Sequence, residues 1–328
     1  MIISRTPFRI SFFGGGTDYP EWYNQEMGQV LSVAINKYCY ISIRALPPFF
    51  KYKYRFRYFK NEEINDLNKI EHPSIRETLK FLNFNKGIEL VHSGDLPAMS
   101  GLGSSSSFTV GLLNALYSYS NKKKTKRQIA NDAIEIEQNL IQENVGSQDQ
   151  VAASFGGLNK IIFKNRSDII IEPLTISSKA IRDLQDHIVL IFTGFSRIAS
   201  NIAKEQIQNI SKYKSEYREM VKIVDEAEIL LYENNIHDFG KLLIDQWNIK
   251  KKLSKSISTS KLDLIYDHGI KNGASGGKLL GAGGGGFILF LVEPDKQQNF
   301  IKSFDNFLNI PIEFDMLGSQ IIYFTKEE

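Results

Sequence analysis

The sequence predicts an α+β protein of two domains, with strands and helices mixed in each. Its 328 residues are enough for two domains of ordinary size, each with a buried core. Segments that alternate apolar and polar residues recur between segments of helical spacing along the whole chain. Around 175–178 short strands give way to long helices, which places the domains at 1–177 and 178–328.

Residues 2–13 read as one or two strands ending at Gly14-Gly15-Gly16. Residues 30–46 alternate and form a strand that Pro47-Pro48 breaks, and 51–59 form a second alternating strand. A helical pattern covers 62–84, interrupted or restarted at Pro73, and a strand over 87–95 runs into a glycine- and serine-rich loop. Phe108, Leu112, Ala115, Leu116 and Tyr119 share one face of a helix over 104–120. A further helix spans 126–143, and 158–173 gives two short strands. Past the boundary the pattern predicts a strand over 187–193, helices over 199–227 and 236–253, and a helix over 261–271 closed by Gly273. Residues 278–292 are two strands around a glycine loop, and 294–324 are helix then strand.

With 42% apolar and 23% charged residues, the composition is that of a globular protein and not of a disordered chain. A net charge of +3 is too small a bias to argue for nucleic acid. The single cysteine, Cys39, allows no intrachain disulfide and agrees with a reducing, cytoplasmic setting. Arg5 and Arg9 interrupt the first residues, which lack a signal-peptide pattern, and the longest apolar run, 287–292, is far too short to span a membrane.

Four segments carry residue types that do chemistry. The first is Pro97-Ala-Met-Ser-Gly101-Leu102-Gly103-Ser104-Ser105-Ser106-Ser107, a small-residue loop opening into a helix. Free N–H groups of a first helical turn favour an anion, and glycines let backbone approach a phosphate. The alternative is a helix cap with redundant serines. The second is Lys278-Leu-Leu-Gly281-Ala-Gly283-Gly284-Gly-Gly286-Phe287. It matches G-x-G-x-x-G, but a strand follows where a dinucleotide site needs a helix, so that site is rejected. No G-x-x-x-x-G-K-[ST] occurs either. A hairpin needs one or two glycines, so five in six positions point to close approach to a ligand or another backbone.

The third segment pairs Glu137 with Asp149. Glu137 falls within the apolar stripe of Ala130, Ala133, Ile134, Leu140 and Ile141. A carboxylate there is costly unless a cation or hydrogen bonds meet it, and Mg²⁺ is a fitting partner. Alternatively, it sits at the stripe's edge and reaches water. Asp149 lies in Gly146-Ser-Gln-Asp-Gln150, suited to a loop, a helix start or a cap. The fourth runs from Arg5 through Arg9 and Gly14-Gly15-Gly16-Thr17-Asp18-Tyr19 to Trp22, where Asp18 either accepts hydroxyls of a polyol or caps a tight turn.

Taken in order, these segments resemble the galactokinase, homoserine kinase, mevalonate kinase and phosphomevalonate kinase (GHMP) superfamily over the whole chain. The resemblance implies an N-terminal α/β layered domain, a C-terminal ferredoxin-like domain, and Mg²⁺ and ATP bound with the substrate in the cleft between them. The galactokinase pattern R-x-x-x-x-G-E-H-T-D-Y is similar to the run from Arg9 to Tyr19, with Gly15-Gly16 where galactokinases have Glu-His. It makes Arg9 the cationic partner of the reacting hydroxyl and Asp18 a sugar ligand. Asp149 matches the family's catalytic aspartate, and Glu137 its metal glutamate. Ser105 matches its metal serine, followed by Ser106 where alanine is usual. The start of the chain, Asn36-Lys-Tyr-Cys-Tyr40 and Thr193-Gly-Phe-Ser-Arg197-Ile-Ala-Ser200 look most like D-glycero-D-manno-heptose 7-phosphate kinases.

The expected chemistry is transfer of the ATP γ-phosphoryl group to the O1 hydroxyl of a sugar phosphate. ATP meets Gly101, Leu102, Gly103, Ser104, Ser105, Ser106, Gly283 and Gly284. Ser105 and Glu137 hold Mg²⁺, Asp149 takes the hydroxyl proton, and Arg9 orients Asp149 or stabilises the transferring group. Gly15, Gly16, Thr17, Asp18 and Tyr19 border the substrate, and Arg197 is the first choice for its phosphate. The expected partner is a small sugar phosphate, with neither nucleic acid nor membrane, for a monomer or homodimer. Kinases for fucose or galactose, and a catalytically silent sugar sensor, are the competing readings. An RNA-binding reading of Lys51, Lys53, Arg55 and Arg57 fails because the aromatic residues alternate onto the opposite strand face.

Overall fold

The protein, seen in a computed structural model, is described here over residues 1–195 and 199–325. Its first half runs β1 (Ile2–Phe13), α1 (Pro20–Tyr23), β2 (Gly28–Ala45), β3 (Tyr54–Arg57), β4 (Asn61–Ile64), α2 (Pro73–Phe81), β5 (Ile88–Gly94), α3 (Ser104–Tyr119), α4 (Lys126–Glu135), α5 (Gln148–Phe155), β6 (Leu158–Asn165) and β7 (Asp168–Pro173). There follow α6 (Ser178–His187), β8 (Ile188–Phe192), α7 (Ala199–Gln208), α8 (Lys214–Tyr232), α9 (Ile236–Leu253), α10 (Ser260–Lys271), β9 (Gly276–Leu279), β10 (Phe287–Leu291), α11 (Gln297–Lys302), β11 (Leu308–Asn309) and β12 (Gln320–Phe324).

The larger sheet has the order β12-β1-β2-β5-β3-β4, with β6 and β7 branching from β2. β2 is long enough to change partners: residues 28–33 pair with β6 and residues 39–45 with β5. β1 lies antiparallel to β2 along its whole length and takes β12 on its other edge. Every residue from Thr6 to Phe13 is buried, Arg9 and Ser11 among them, so this part of β1 does not alternate. The reason is that α3, α5, α8 and α9 all pack on the strand. The smaller sheet is antiparallel with the order β11-β8-β10-β9. That is the strand order of a ferredoxin-like β-α-β-β-α-β path, as the resemblance implied. Helix α9 packs on both β1 and β9 and so carries side chains to the seam between the sheets.

Three local readings are corrected. Residues 61–64 are strand, not helix; Glu62 is buried there and accepts bonds from Tyr58 Oη (2.6 Å) and the Glu71 N–H (2.7 Å). The helix expected over 199–227 is two helices, and Asn209 at the break donates to the Leu253 carbonyl (2.8 Å) at the end of α9. The helix expected over 126–143 ends α4 at Glu135 and continues as a π-helical turn, Ile136–Leu140. In β3, Tyr54 and Phe56 are core residues, and Arg55 lies 3.4 Å from both Glu63 and Glu89. Among the described residues no helix is long and apolar enough to cross a membrane.

Candidate active site

The glycine- and serine-rich loop delivers the chain into α3 with Gly103 as its cap, in the left-handed region at φ +76°. No side chain caps this end, so the redundant-serine-cap alternative fails and the first-turn N–H groups stay open to a ligand. A Cβ on Gly103 would stand 3.2 Å from Arg9 Cγ and 3.3 Å from Asp149 Oδ2, so glycine is needed for space as well as for conformation. The second glycine run explains itself here. A Cβ on Gly281 would strike Gly101 Cα, one on Gly286 would strike the Ser100 carbonyl, and the Phe287 N–H donates to that carbonyl (3.2 Å). The extra glycines let the β9–β10 hairpin interlock with the phosphate-type loop.

Asp149 occupies the first turn of α5, where a carboxylate suits the helix dipole; Ser147, not Asp149, is at the cap position. Arg9, projecting from β1, grips it with a two-pronged ion pair, Nε to Oδ1 and Nη2 to Oδ2, both 2.7 Å. Arg9 Nη1 also donates to the Gly101 carbonyl (2.8 Å), tying the acid to the loop. Such a fork fixes the plane of the carboxylate while leaving lone pairs for a hydroxyl.

Glu137 sits on the π-helical turn and is 1% exposed. Its Oε2 accepts from Ser106 Oγ (2.8 Å) and from Gln150 Nε2. Its Oε1 makes no well-formed hydrogen bond, and burial pushes the carboxyl up to about 7 against the opposing pull of the nearby Thr109 hydroxyl. An orphaned carboxylate oxygen behind a loop of hydroxyls and open N–H groups fits Mg²⁺ arriving with a phosphate, since that ion needs few protein carboxylates. The hydroxyl that meets Glu137 belongs to Ser106; Ser105 is exposed at the cleft. π-turns often mark functional sites, but nothing in the helical spacing announces one.

Gly15, Gly16, Asp18 and Tyr19 line the same cleft. Asp18 is buried, accepting from the N–H groups of Gly16 (2.8 Å) and Gln148 (3.3 Å), and burial raises its carboxyl above the ordinary range. Thr17 does not face the cleft: its hydroxyl donates to the carbonyls of Gly14 and Gln29 and accepts from the Gln29 N–H, so it shapes the turn. Leu102 is buried, with its carbonyl accepting from the Arg9 N–H (3.0 Å). Gly283 and Gly284 pack on Ile257, beyond the cleft lining, which Gly281 and Ala282 supply. Arg197 lies outside the described residues, and none of Lys51, Lys53, Arg55 and Arg57 lines the cleft. Two lysines that were not singled out do line it. Lys250 is 4% exposed, and its Nζ donates to the Gly281 carbonyl (2.8 Å). Lys278 is 1% exposed, and its Nζ donates to the carbonyls of Ser11 (3.0 Å) and Phe12 (2.8 Å).

Comparison with known proteins gives the family. The model of the GHMP kinase N-terminal domain matches residues 70–157, and that of the GHMP kinase C-terminal domain matches 227–309. The chain is 32% identical over 320 residues to a D-glycero-α-D-manno-heptose 7-phosphate kinase of Campylobacter jejuni, covering 92% of each protein. It is 27% identical to a galactokinase of Pyrococcus furiosus, over 90% of each. In fold it matches a crystal structure of a D-glycero-D-manno-heptose 1-phosphate kinase from Bacteroides thetaiotaomicron, with a TM-score of 0.82 at 22% identity, over 99% of this chain and 100% of that one. Both family models and the 32% identical relative give one assignment: the chain belongs to the GHMP kinase family and is an ATP-dependent kinase.

Proposed function

We propose that this kinase transfers the γ-phosphoryl group of ATP to the anomeric O1 hydroxyl of D-glycero-D-manno-heptose 7-phosphate, giving the 1,7-bisphosphate. The product serves the synthesis of nucleotide-activated heptose for surface polysaccharide, in the cytoplasm. The observation that carries the reading is the Arg9–Asp149 pair, joined through Gly101 to the open end of α3 in one cleft. Sugar-directed relatives, the heptose 7-phosphate kinase foremost, support a sugar acceptor.

The N–H groups from Gly103 to Ser106 receive the nucleotide phosphates. Asp149, held by Arg9, accepts the proton of the attacking hydroxyl, and Arg9 faces the charge that builds up on the transferring group. Asp18 and Tyr19 border the sugar. Glu137, with Ser105 or Ser106, would hold Mg²⁺, which neutralises phosphate charge when bound. Phosphoryl transfer rests mainly on positioning and electrostatics, so this set suffices. The nucleotide and acceptor lie between the halves 1–177 and 178–328.

The test is an ADP-release assay over a panel of D-glycero-D-manno-heptose 7-phosphate, the unphosphorylated heptose, fucose and galactose. The 7-phosphate is expected to have the highest kcat/KM by a large factor. Equal use of heptose and its 7-phosphate, or a preference for fucose or galactose, overturns the assignment of the acceptor.

A further inference from the structure

We propose that Lys250 receives the acceptor's own phosphate, at the cleft wall beside Gly15 and Gly16. This rests on the reading of the chain as a sugar-phosphate kinase, and names the residue that makes it one.

Position comes first. Lys250 projects from α9, the helix that packs on both sheets, and reaches the cleft opposite the 14–16 turn. A Cβ built on Gly15 would stand 3.7 Å from Lys250 Nζ, 3.5 Å from Gln148 Nε2 and 3.2 Å from Ser11 Oγ. One on Gly16 would meet Tyr217 Cε1 at 3.7 Å and Met220 Cε at 3.8 Å, with Gln206 Oε1 at 3.9 Å. The galactokinase pattern fills these two positions with Glu and His. Here they are bare, and polar groups from β1, α5 and α9 line the cleft beside Gly15.

The hydrogen-bonding state of those groups points to the ligand's chemistry. Lys250 Nζ has one protein acceptor, the Gly281 carbonyl, which leaves two N–H donors without a partner in the structure. Ser11 Oγ, Gln148 Oε1 and Gln206 Oε1 are buried and also without partners. Buried polar groups are ordinarily satisfied, and a buried ammonium held by a single carbonyl is costly. The free donors suit an anion, and the free amide oxygens suit hydroxyl groups. A phosphate on a polyol supplies both, whereas a bare anion would leave the amide oxygens unmet.

Charge agrees. Arg9, Lys250 and Lys278 face the cleft with Asp18, Asp149 and Glu143. Arg9 and Asp149 cancel each other, Lys278 is committed to two carbonyls, and Asp18, whose oxygens accept backbone N–H groups, is the carboxylate that most favours the charge on Lys250 without a hydrogen bond to it. Lys250 is the cation with donors to spare. Burial lowers its ammonium to about 8, so it is charged at neutral pH while only weakly solvated, which strengthens its pull on an anion.

The test measures kcat/KM for D-glycero-D-manno-heptose 7-phosphate and for the unphosphorylated heptose in wild type, Lys250→Met and Lys250→Arg. Calorimetry of the 7-phosphate accompanies it, in case the plain sugar turns over too slowly to measure. Methionine keeps the length and removes the charge; circular dichroism and binding of a non-hydrolysable ATP analogue check that the variant is folded. The wild-type preference for the 7-phosphate should fall about ten- to a hundredfold in Lys250→Met, the range of a charge-assisted hydrogen bond, and Lys250→Arg should keep more of it. A wild type that prefers the 7-phosphate beside a Lys250→Met variant with the same preference overturns the role of Lys250 and leaves the kinase assignment standing. A uniform loss on both sugars with weakened nucleotide binding also overturns it, because Lys250 would then only brace the Gly281 loop. A wild type indifferent to the phosphate overturns the acceptor assignment and this inference together.

Discussion

The two sides of the cleft are built from different material. The side proposed for the nucleotide is backbone: the open first turn of α3 and a glycine hairpin locked against the loop before it. The side proposed for the acceptor is side chains: Asp18 after β1, Gln148 on α5, Lys250 on α9 and Lys278 on β9, all buried. A backbone site must be contiguous, because neighbouring N–H groups belong to one loop, and it therefore reads as a motif. A side-chain site can be gathered from any element, and each member then looks ordinary in its own surroundings.

Three measurements break or sharpen this contrast. The largest effect is expected where the two sides meet. Asp149→Asn should lower kcat by roughly 10² to 10⁴, the usual contribution of a positioned base, with little change in ATP affinity. A rate within about threefold of wild type would remove Asp149 from the chemical step, judged against that range. Next comes the nucleotide side. Glu137→Gln keeps the bonds to Ser106 and Gln150 within reach while removing the charge, so the Mg²⁺ concentration for half-maximal rate should rise about tenfold or more, as losses around metal sites commonly do. An unchanged Mg²⁺ requirement with an altered melting temperature would make Glu137 structural.

The smallest effect belongs to the acceptor side and is read in pH. Burial depresses Lys250 to about 8, opposed by Asp18 and Asp149 and reinforced by Arg9; Lys278, whose own ammonium burial pushes well down, lies close by. The ammonium is charged below about 8, so kcat/KM for the phosphorylated acceptor should hold from pH 7 to 8. Above that it should fall by up to about tenfold per unit, and the plain sugar should lack this limb. Parallel profiles for the two sugars would count against Lys250. Unfolding does not mimic the effect at this group. A depressed lysine leaves the unfolded chain holding the extra proton between about 8 and 10.5, so its contribution to stability grows with pH there.

Much of the fold was legible because its strands and helices keep clean periods, and α9 and the β9–β10 hairpin fall close to where the pattern puts them. Glu137 was legible because a carboxylate on an apolar stripe is anomalous. Lys250 obeys the same logic: with Phe239, Leu243, Trp247 and Leu253 it shares the buried stripe of α9. It escaped because Lys251 and Lys252 follow it, and three lysines ending a helix read as a solvated run that complements the dipole. Thr17 was overread for the opposite reason, since a hydroxyl beside a candidate ligand residue looks functional until its backbone partners are seen. Glu62 reads as helical because its tie to Tyr58 spans four residues, a helical spacing, while the bond from the Glu71 N–H joins positions nine apart that no helix connects.

Ser100 and Gly101 approach Gly281 and Gly286 so closely that one added carbon on either of the latter would strike the facing backbone, and the Phe287 N–H bonds the Ser100 carbonyl across the crossing. Any excursion that frees the loop must also peel the hairpin away from it, so the two open as one cooperative unit. A ligand that grips the loop lowers the population of that open form by its own binding free energy. The amides of β10, which line no part of the cleft, thereby become reporters of a nucleotide they never touch, their exchange with solvent slowing as the loop is occupied.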